Sequence, residues 1–257
     1  MTIYLALENQ PLLSKVGNQF FSFNFLPVLP LTTLSILTLR PDQRRWGFAQ
    51  MGTAQRPLQR VPGLRFQKLL GSGAGGFGAL PNLRRYGFMA VWDDEAAAQA
   101  FFDGHPLWQQ YRQRTTALWT ARLAPIKAHG LWDGQTPFDY ATEPSAPDEP
   151  VLVLTRASIR LLKTPRFWRY VAPVSATIAD APGVRAAIGL GELPVVRQAT
   201  VSLWESARAM QDYAYRSEKH KEVIRLTRQE DWYGEELFAR FRVLGTEGVW
   251  DGRNPLG

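Results

Sequence analysis

Few side chains in this chain can bind a metal or act as a strong nucleophile. It has no Cys and only three His among 257 residues. The missing thiols exclude disulfides, thiolate nucleophiles, iron–sulfur clusters and Cys-zinc sites. His105, His129 and His220 form neither HxH nor HExxH, so a zinc site would require all three to converge from distant segments. No GxSxG elbow surrounds a Ser, which leaves a Ser/His/Asp triad without its usual strand–turn–helix setting. The carboxylate pairs in Asp93-Asp94-Glu95 and Glu235-Glu236 fall near predicted element ends and are expected to be solvated.

His220 stands out. It lies in AYRSEKHKEVIRLTR, within a helix predicted over Ser206–Arg228. Tyr213, Ser217, Val223 and Ile224 share its side at helical spacing, which puts an imidazole on a largely apolar face. Two roles are open. One is a core or surface His satisfied by a backbone carbonyl. The other is an axial ligand to haem iron, for which neutral imidazole is a common protein donor, with Arg225 and Arg228 downstream meeting the propionates or simply forming a solvated face. His105 occupies the corresponding region of the first half in a broken Asp-Gly-His-Pro context.

The positioning elements come in two copies. Gly130–Phe138 reads GLWDGQTPF and Gly248–Leu256 reads GVWDGRNPL. Upstream, Trp92 matches Trp204, Pro62-Gly63-Leu64-Arg65 matches Pro182-Gly183-Val184-Arg185, and Leu37-Thr38 is set against Leu154-Thr155. Common order implies a duplication, and function is expected where the copies differ. Each half reads β-α-β-β-α-β by apolar periodicity and turn residues. The helical region of the first half, capped at Asp93, is expected to continue to about Arg122, and Asp93 is the predicted cap. This is the α+β ferredoxin-like motif taken twice, its sheets forming a barrel-like core with helices outside. Residues 1–33 are an extension, 34–140 the first repeat, 141–150 a Pro-rich acidic linker, and 151–257 the second repeat. The run Gly71–Gly78 leads into Pro81 and a strand rather than a helix. It therefore lacks the helix N-terminus that phosphate binding requires and is expected to be a flexible hairpin loop or lid, present in one copy only.

Net charge is +7, with nine Trp and fourteen Phe. The basic residues are scattered, without a Lys/Arg block or RNP motif, so no nucleic-acid partner is expected; attraction to anionic lipid is compatible. Phe20–Leu39 is apolar but interrupted by Asn24, Pro27 and Pro30, so no spanning helix is expected. A cytoplasmic protein, with peripheral contact to the inner membrane face, fits this reading.

The strings WGFAQMGTAQRPLQRVPGLRFQKLLGSGAGGFGALPN (Trp46–Asn82), LTRASIR (Leu154–Arg160), GLGELPVVRQATVSLW (Gly189–Trp204) and AYRSEKHKEVIRLTRQEDWYGEELFARFRVL (Ala214–Leu244) resemble the spheroidene monooxygenase family of carotenoid biosynthesis, from about Leu34 to Gly257. The resemblance implies an oxygenase that places a keto group at C-2 of an acyclic carotenoid. It implies haem b as cofactor, an electron donor such as ferredoxin, and kinship with dimeric α+β barrel haem proteins, with which a homo-oligomer is compatible. His220 is the His of the HKEVIR string, and the resemblance implies that it holds the iron. Two other classes stay open beside it: different haem chemistry on this scaffold, dehydratase or peroxidase-like, and a non-catalytic binding module.

Overall fold

The computed structural model describes the backbone of residues 13–16, 19–22, 30–78, 80–138, 143–193, 195–216 and 218–257. It describes the side chains of these residues except 13–16, 19–22, 171–177, 215–216, 218–221 and 223–224. Strands β1 (Leu13–Val16) and β2 (Gln19–Ser22) form a separate antiparallel pair. The first repeat then runs β3 (Leu31–Leu39), α1 (Arg44–Thr53), α2 (Gln55–Leu58), β4 (Leu64–Gly73), β5 (Pro81–Trp92), α3 (Glu95–Gly104), α4 (Pro106–Arg114) and β6 (Thr115–Gly130). The second runs β7 (Val151–Ile159), α5 (Thr164–Ile178), β8 (Val184–Leu193), β9 (Arg197–Trp204), α6 (Ala207–Arg216), α7 (Glu218–Glu230) and β10 (Tyr233–Gly248).

Each repeat has the β-α-β-β-α-β order, and the two sheets join edge to edge into one closed barrel, β10-β6-β3-β5-β4-β8-β9-β7. The two last strands, β6 and β10, pair with each other over their length. The second strands, β4 and β8, meet only at Gly71↔Gly191 and Ser72↔Leu190. Closure gives every barrel strand a neighbour on both sides, although along β4 and β8 that seam is short. Inside-facing side chains such as Leu34, Ile36, Leu152, Leu154, Ala239 and Phe241 fill the interior, so the barrel is a packed core rather than a channel.

The Trp-Asp-Gly echo is a matched pair of plugs. Asp133 and Gly134 take φ of 52° and 74°, and Asp251 and Gly252 take 50° and 85°. Positive φ at both central residues is the two-residue hairpin turn that favours Asp-Gly, closed by Trp132 N–H to Gln135 C=O (2.8 Å) and Trp250 N–H to Arg253 C=O (2.8 Å). The turns seal the barrel: Trp132 is fully buried against Phe66, and Trp250 packs on Trp119. Gly130 and Gly248 open them at positive φ, where a Cβ would lie 2.1 Å from a carbonyl oxygen across the ladder.

Several expectations are corrected. The first strand starts at Leu31. The first-repeat helix ends at Arg114, not near Arg122, because Thr115–Gly130 is β-branched at its start, pairs with β3 and β10, and turns Trp119, Ala121 and Leu123 into the barrel core. Asp94 rather than Asp93 caps α3, its carboxylate accepting from Ala97 N–H at 2.7 Å. The helix expected over Ser206–Arg228 is two segments, α6 and α7, on either side of Ser217, which lies outside the described residues. The ladders also shift one repeat match. Leu31 pairs with Trp92 and Val151 with Trp204, so Leu34-Ser35, not Leu37-Thr38, corresponds to Leu154-Thr155. The linker is tied down at its end, where Pro147 and Glu149 carbonyls accept from Arg208 and Ala207 at the start of α6. Among the described residues, no helix is long and apolar enough to cross a membrane.

Candidate functional site

The ladders allow the outer faces of the two sheets to be compared position by position. In the first repeat, Leu37, Leu69 and Phe88 point from the sheet toward α1–α4. One continuous cluster of buried residues covers them, with Phe101, Trp108 and Tyr111 supplied by the helices. The matching positions in the second repeat are Ala157, Gly189 and Thr200, so three large apolar side chains are replaced by small ones. The described side chains of the second repeat form two separate clusters instead. Ala207 and Met210 close over Trp204 and Val151 at one end, and Phe167, Leu226 and Trp232 close over Ile159 at the other.

Between these clusters lies a partly covered stretch of the sheet, the trough, where Thr155 is exposed and Phe238, Thr200 and Gly189 are half-buried. Its floor is one row across the sheet: His129 pairs with Phe238, Phe238 with Thr155, Thr155 with Thr200, and Thr200 with Gly189. Thr155 is solvent-exposed in the middle of a central strand, whereas its counterpart Ser35 is fully buried and hydrogen-bonded to Thr120 at 2.8 Å. A row of five strands spans four inter-strand gaps, about 19 Å, and is wide enough for a flat macrocycle. His129 stacks on Phe238 with ring centroids 5.2 Å apart. The adjacent row carries Lys127, Arg240, Val153, Ser202 and Ala187, which sets basic side chains along one side of the trough.

The Gly-rich run of the first repeat reaches this site. Gly189 N–H donates to the Gly76 carbonyl at 2.7 Å. A Cβ on Gly189 would fall 2.8 Å from that oxygen and 3.2 Å from Phe77, so only glycine admits the loop so close. The insertion therefore docks on the divergent face of the other repeat. As expected from the sequence, it leads into a strand, β5.

His220 belongs to the backbone of α7, and its side chain lies outside the described residues. Arg225 is exposed and forms a bidentate pair with Glu222 (2.7 and 2.5 Å) while donating to Gln229 at 2.5 Å. It would have to exchange Glu222 to meet a propionate. Arg228 is exposed in the last turn of α7. His105 is placed in a structural role: its Nδ1 accepts from Leu107 N–H at 3.3 Å as the cap of α4, and its ring stacks on Phe101. Burial pushes its pKa down. Glu235, expected to be solvated, instead joins an ion cluster at a barrel end with Arg156, Lys68, Asp133 and Glu192. Burial alone would raise the Glu235 carboxyl, but the backbone N–H groups of Gly134 and Asp133 and the Arg156 guanidinium hold it below the usual range.

Among curated proteins, the chain is 39% identical over 232 residues to a spheroidene monooxygenase of Rhodobacter capsulatus, covering 89% of this chain and 96% of that protein. This chain belongs to the spheroidene monooxygenase family. A second relative, from Rubrivivax gelatinosus, is 41% identical over 221 residues, covering 86% of this chain and 84% of its own length. Membership of the spheroidene monooxygenase family makes the chain a monooxygenase. No family model matches. Among solved structures, two aldoxime dehydratases share the fold at a TM-score of 0.55 each, with 12% and 10% identity over 88% and 83% of this chain and 83% and 81% of theirs. At such identity the likeness concerns fold alone.

Proposed function

We propose that this monooxygenase introduces a keto group at C-2 of an acyclic carotenoid, on haem b bound over the outer face of the second sheet. The observation that carries this reading is the trough itself. In a duplicated barrel, the outer face of the first sheet is packed with Leu37, Leu69 and Phe88 under aromatic helices, whereas the second carries Ala157 and Thr200 at the matching positions and leaves Thr155 exposed, in the repeat whose α7 bears His220. Haem, when bound, supplies the activation of O2 for which a cysteine-free chain has no side chain of its own. In this reading His220 holds the iron from α7. Arg240 and Lys127 stand on the flank where acidic groups of a cofactor would be met, with Arg228 available from α7 and Arg225 only on release from Glu222. Phe238 in the floor, with Phe167 and Trp168 beside Thr200, supplies the apolar surface that orients the polyene and keeps water from the reacting carbon. Electrons come from a donor such as ferredoxin.

The purified chain reconstituted with haem, supplied with lycopene or spheroidene, O2 and reduced ferredoxin, is expected to yield a product with a ketone at C-2, conjugated with the polyene in the spheroidene product. A single haem per chain is expected from the asymmetry between the two faces. His220→Ala should lower haem content about tenfold and activity with it, while leaving the far-ultraviolet circular dichroism unchanged, and added imidazole should restore part of the Soret band. His105→Ala is the matched control. It removes a helix cap worth about 1 kcal/mol in the other repeat and should retain haem. His129→Ala is not a neutral control, because His129 belongs to the trough floor. A His220→Ala variant with full haem and an unchanged spectrum would falsify the ligand assignment.

A further inference from the structure

Beyond the Gly-rich loop, on the side away from the trough, lies a cleft of about 300 Å³. It runs between α1, the loop and the β8–β9 hairpin. Phe48, Leu83, Leu193 and Val195 converge on it, yet they are 64%, 40%, 52% and 36% exposed. Large apolar side chains concentrated in one concavity mark a binding surface. The acidic residue at its wall is already neutralised: Glu192 is paired with Lys68 at 3.0 Å and Arg156 at 3.2 Å. The floor is bare backbone, and a Cβ on Gly71 would meet only the Gly191 carbonyl, 3.9 Å away.

The cleft and the trough meet at the loop. Gly73, Gly78 and Gln198 border both the cleft and a narrow gap that opens on Thr200 and Gly189 of the trough floor. The gap is narrow, about 40 Å³, and its wall includes Gly76, whose carbonyl is tied to Gly189 N–H. A compact ligand would occupy one chamber, whereas a thin, extended, uncharged chain can lie in both.

We infer that this cleft is the subsite for the unreacted arm of a linear polyisoprenoid whose reacting end lies on the second sheet, with the Gly71–Gly78 loop crossing over the chain between them. The inference rests on the polyene reading above and adds a length requirement to it. Selectivity for long linear chains arises in the cleft, remote from the reacting carbon, while the trough fixes which carbon reacts.

The test is binding in the haem-loaded protein, read by the circular dichroism induced in the polyene and by tryptophan quenching, with lycopene and with an apocarotenal cut to half the chain. The wild type should prefer the longer chain. Gly71→Leu fills the cleft at a site with open space above it and should reduce that preference about tenfold, the burial of about two methylene groups. Phe48→Asp, on an exposed helix face, should reduce it in the same sense. Unchanged melting temperatures would exclude misfolding as the cause. If both variants keep the wild-type preference, or the wild type binds neither polyene, the subsite is refuted. It is equally refuted if Phe48→Asp dissociates a dimer while leaving the preference intact, since the occupant is then a second copy of the chain. Length-selective binding that both variants erase, in a protein that oxygenates neither polyene, upholds the subsite and sinks the functional reading alone.

Discussion

Replacing Thr200 by Phe is expected to remove oxygenase activity by about a hundredfold or more while the chain stays folded. Thr200 lies in the trough floor, paired with Thr155 on one side and Gly189 on the other. The first repeat shows what a phenyl ring does at this position. Phe88 is 2% exposed, 5.7 Å from the Phe101 ring and 6.0 Å from the Trp108 ring, and closes the space between sheet and helices. The backbone of β9 repeats that of β5 from Trp204 back, so the substituted ring projects from the same face into the narrow gap lined by Phe167 and Trp168. It competes directly with whatever lies on the sheet, and displacing a reacting group by even 1 Å can reduce a rate about a hundredfold. Stability should change little, since the apolar burial the ring gains is offset by the crowding of a narrow gap. The reciprocal change separates packing from function. Phe88→Thr empties a filled core and should destabilise by about 3 kcal/mol or more, yet activity per folded molecule should persist. Thermal melts with carotenoid turnover on the same preparations decide the matter. Full activity in Thr200→Phe would place the chemistry elsewhere.

The contrast between the two faces was half legible in the sequence. The duplication, the order of elements and the barrel followed from period-2 apolar runs and from glycines and prolines at the turns, because these patterns are set locally. The Trp-Asp-Gly echo marked matching positions correctly, but it reports two turns that plug the barrel rather than a site. The trough residues were missed for a specific reason. Aligning Leu37-Thr38 with Leu154-Thr155 is off by three residues. An odd slip exchanges the two faces of a strand, so Leu37 was never set against Ala157. The Trp92–Trp204 and Pro62–Pro182 matches carried the right register and set Phe88 against Thr200 and Leu69 against Gly189, but nothing local showed that these positions share one face of one sheet. Register is fixed by pairing between strands far apart in sequence, and the ladders supplied it. Glu235 shows the other limit. Its neighbours in sequence say that it sits near the end of a strand, but nothing local says that Arg156, some eighty residues away, points into the same barrel end.

That barrel end gives the second large effect. Arg156 is 3% exposed and holds Glu235, Asp133 at 3.1 Å and Glu192 at 3.2 Å, with its guanidinium 5.7 Å from the Trp132 ring. Lys68 bridges Asp133 and Glu192. The other end of the barrel has Ile36, Ser72 and Ala117 where this one has Arg156, Glu192 and Glu235, so the fold itself accepts an apolar arrangement. Only the peripheral pair is shared, Arg197 with Asp133 here and Arg85 with Asp251 there. Removing one partner of a buried ion group leaves uncompensated charge, whereas replacing the whole group with apolar residues is often neutral. Arg156→Ile alone should therefore destabilise by about 3–5 kcal/mol, a fall in melting temperature on the order of 10 °C for a chain of this size. Adding Glu192→Ser and Glu235→Ala to it should recover most of the loss. Acid should reproduce the same dependence. Burial alone would raise the Asp133 carboxyl, but the hydrogen bond from Lys68 and the charges of Lys68, Arg197 and Arg156 hold it below its ordinary value, and Glu235 is depressed likewise. Groups depressed in the folded state contribute stability that is complete above the unfolded carboxylate pKa of about 4 and is lost as pH falls through the lower folded values. Wild-type stability should thus decline below about pH 4, and the triple variant should decline less over the same interval. Denaturant midpoints measured from pH 7 downward provide the comparison. A triple variant as weak as Arg156→Ile, or one with the wild-type acid profile, would show that Arg156 acts through its packing against Trp132 rather than through its charge.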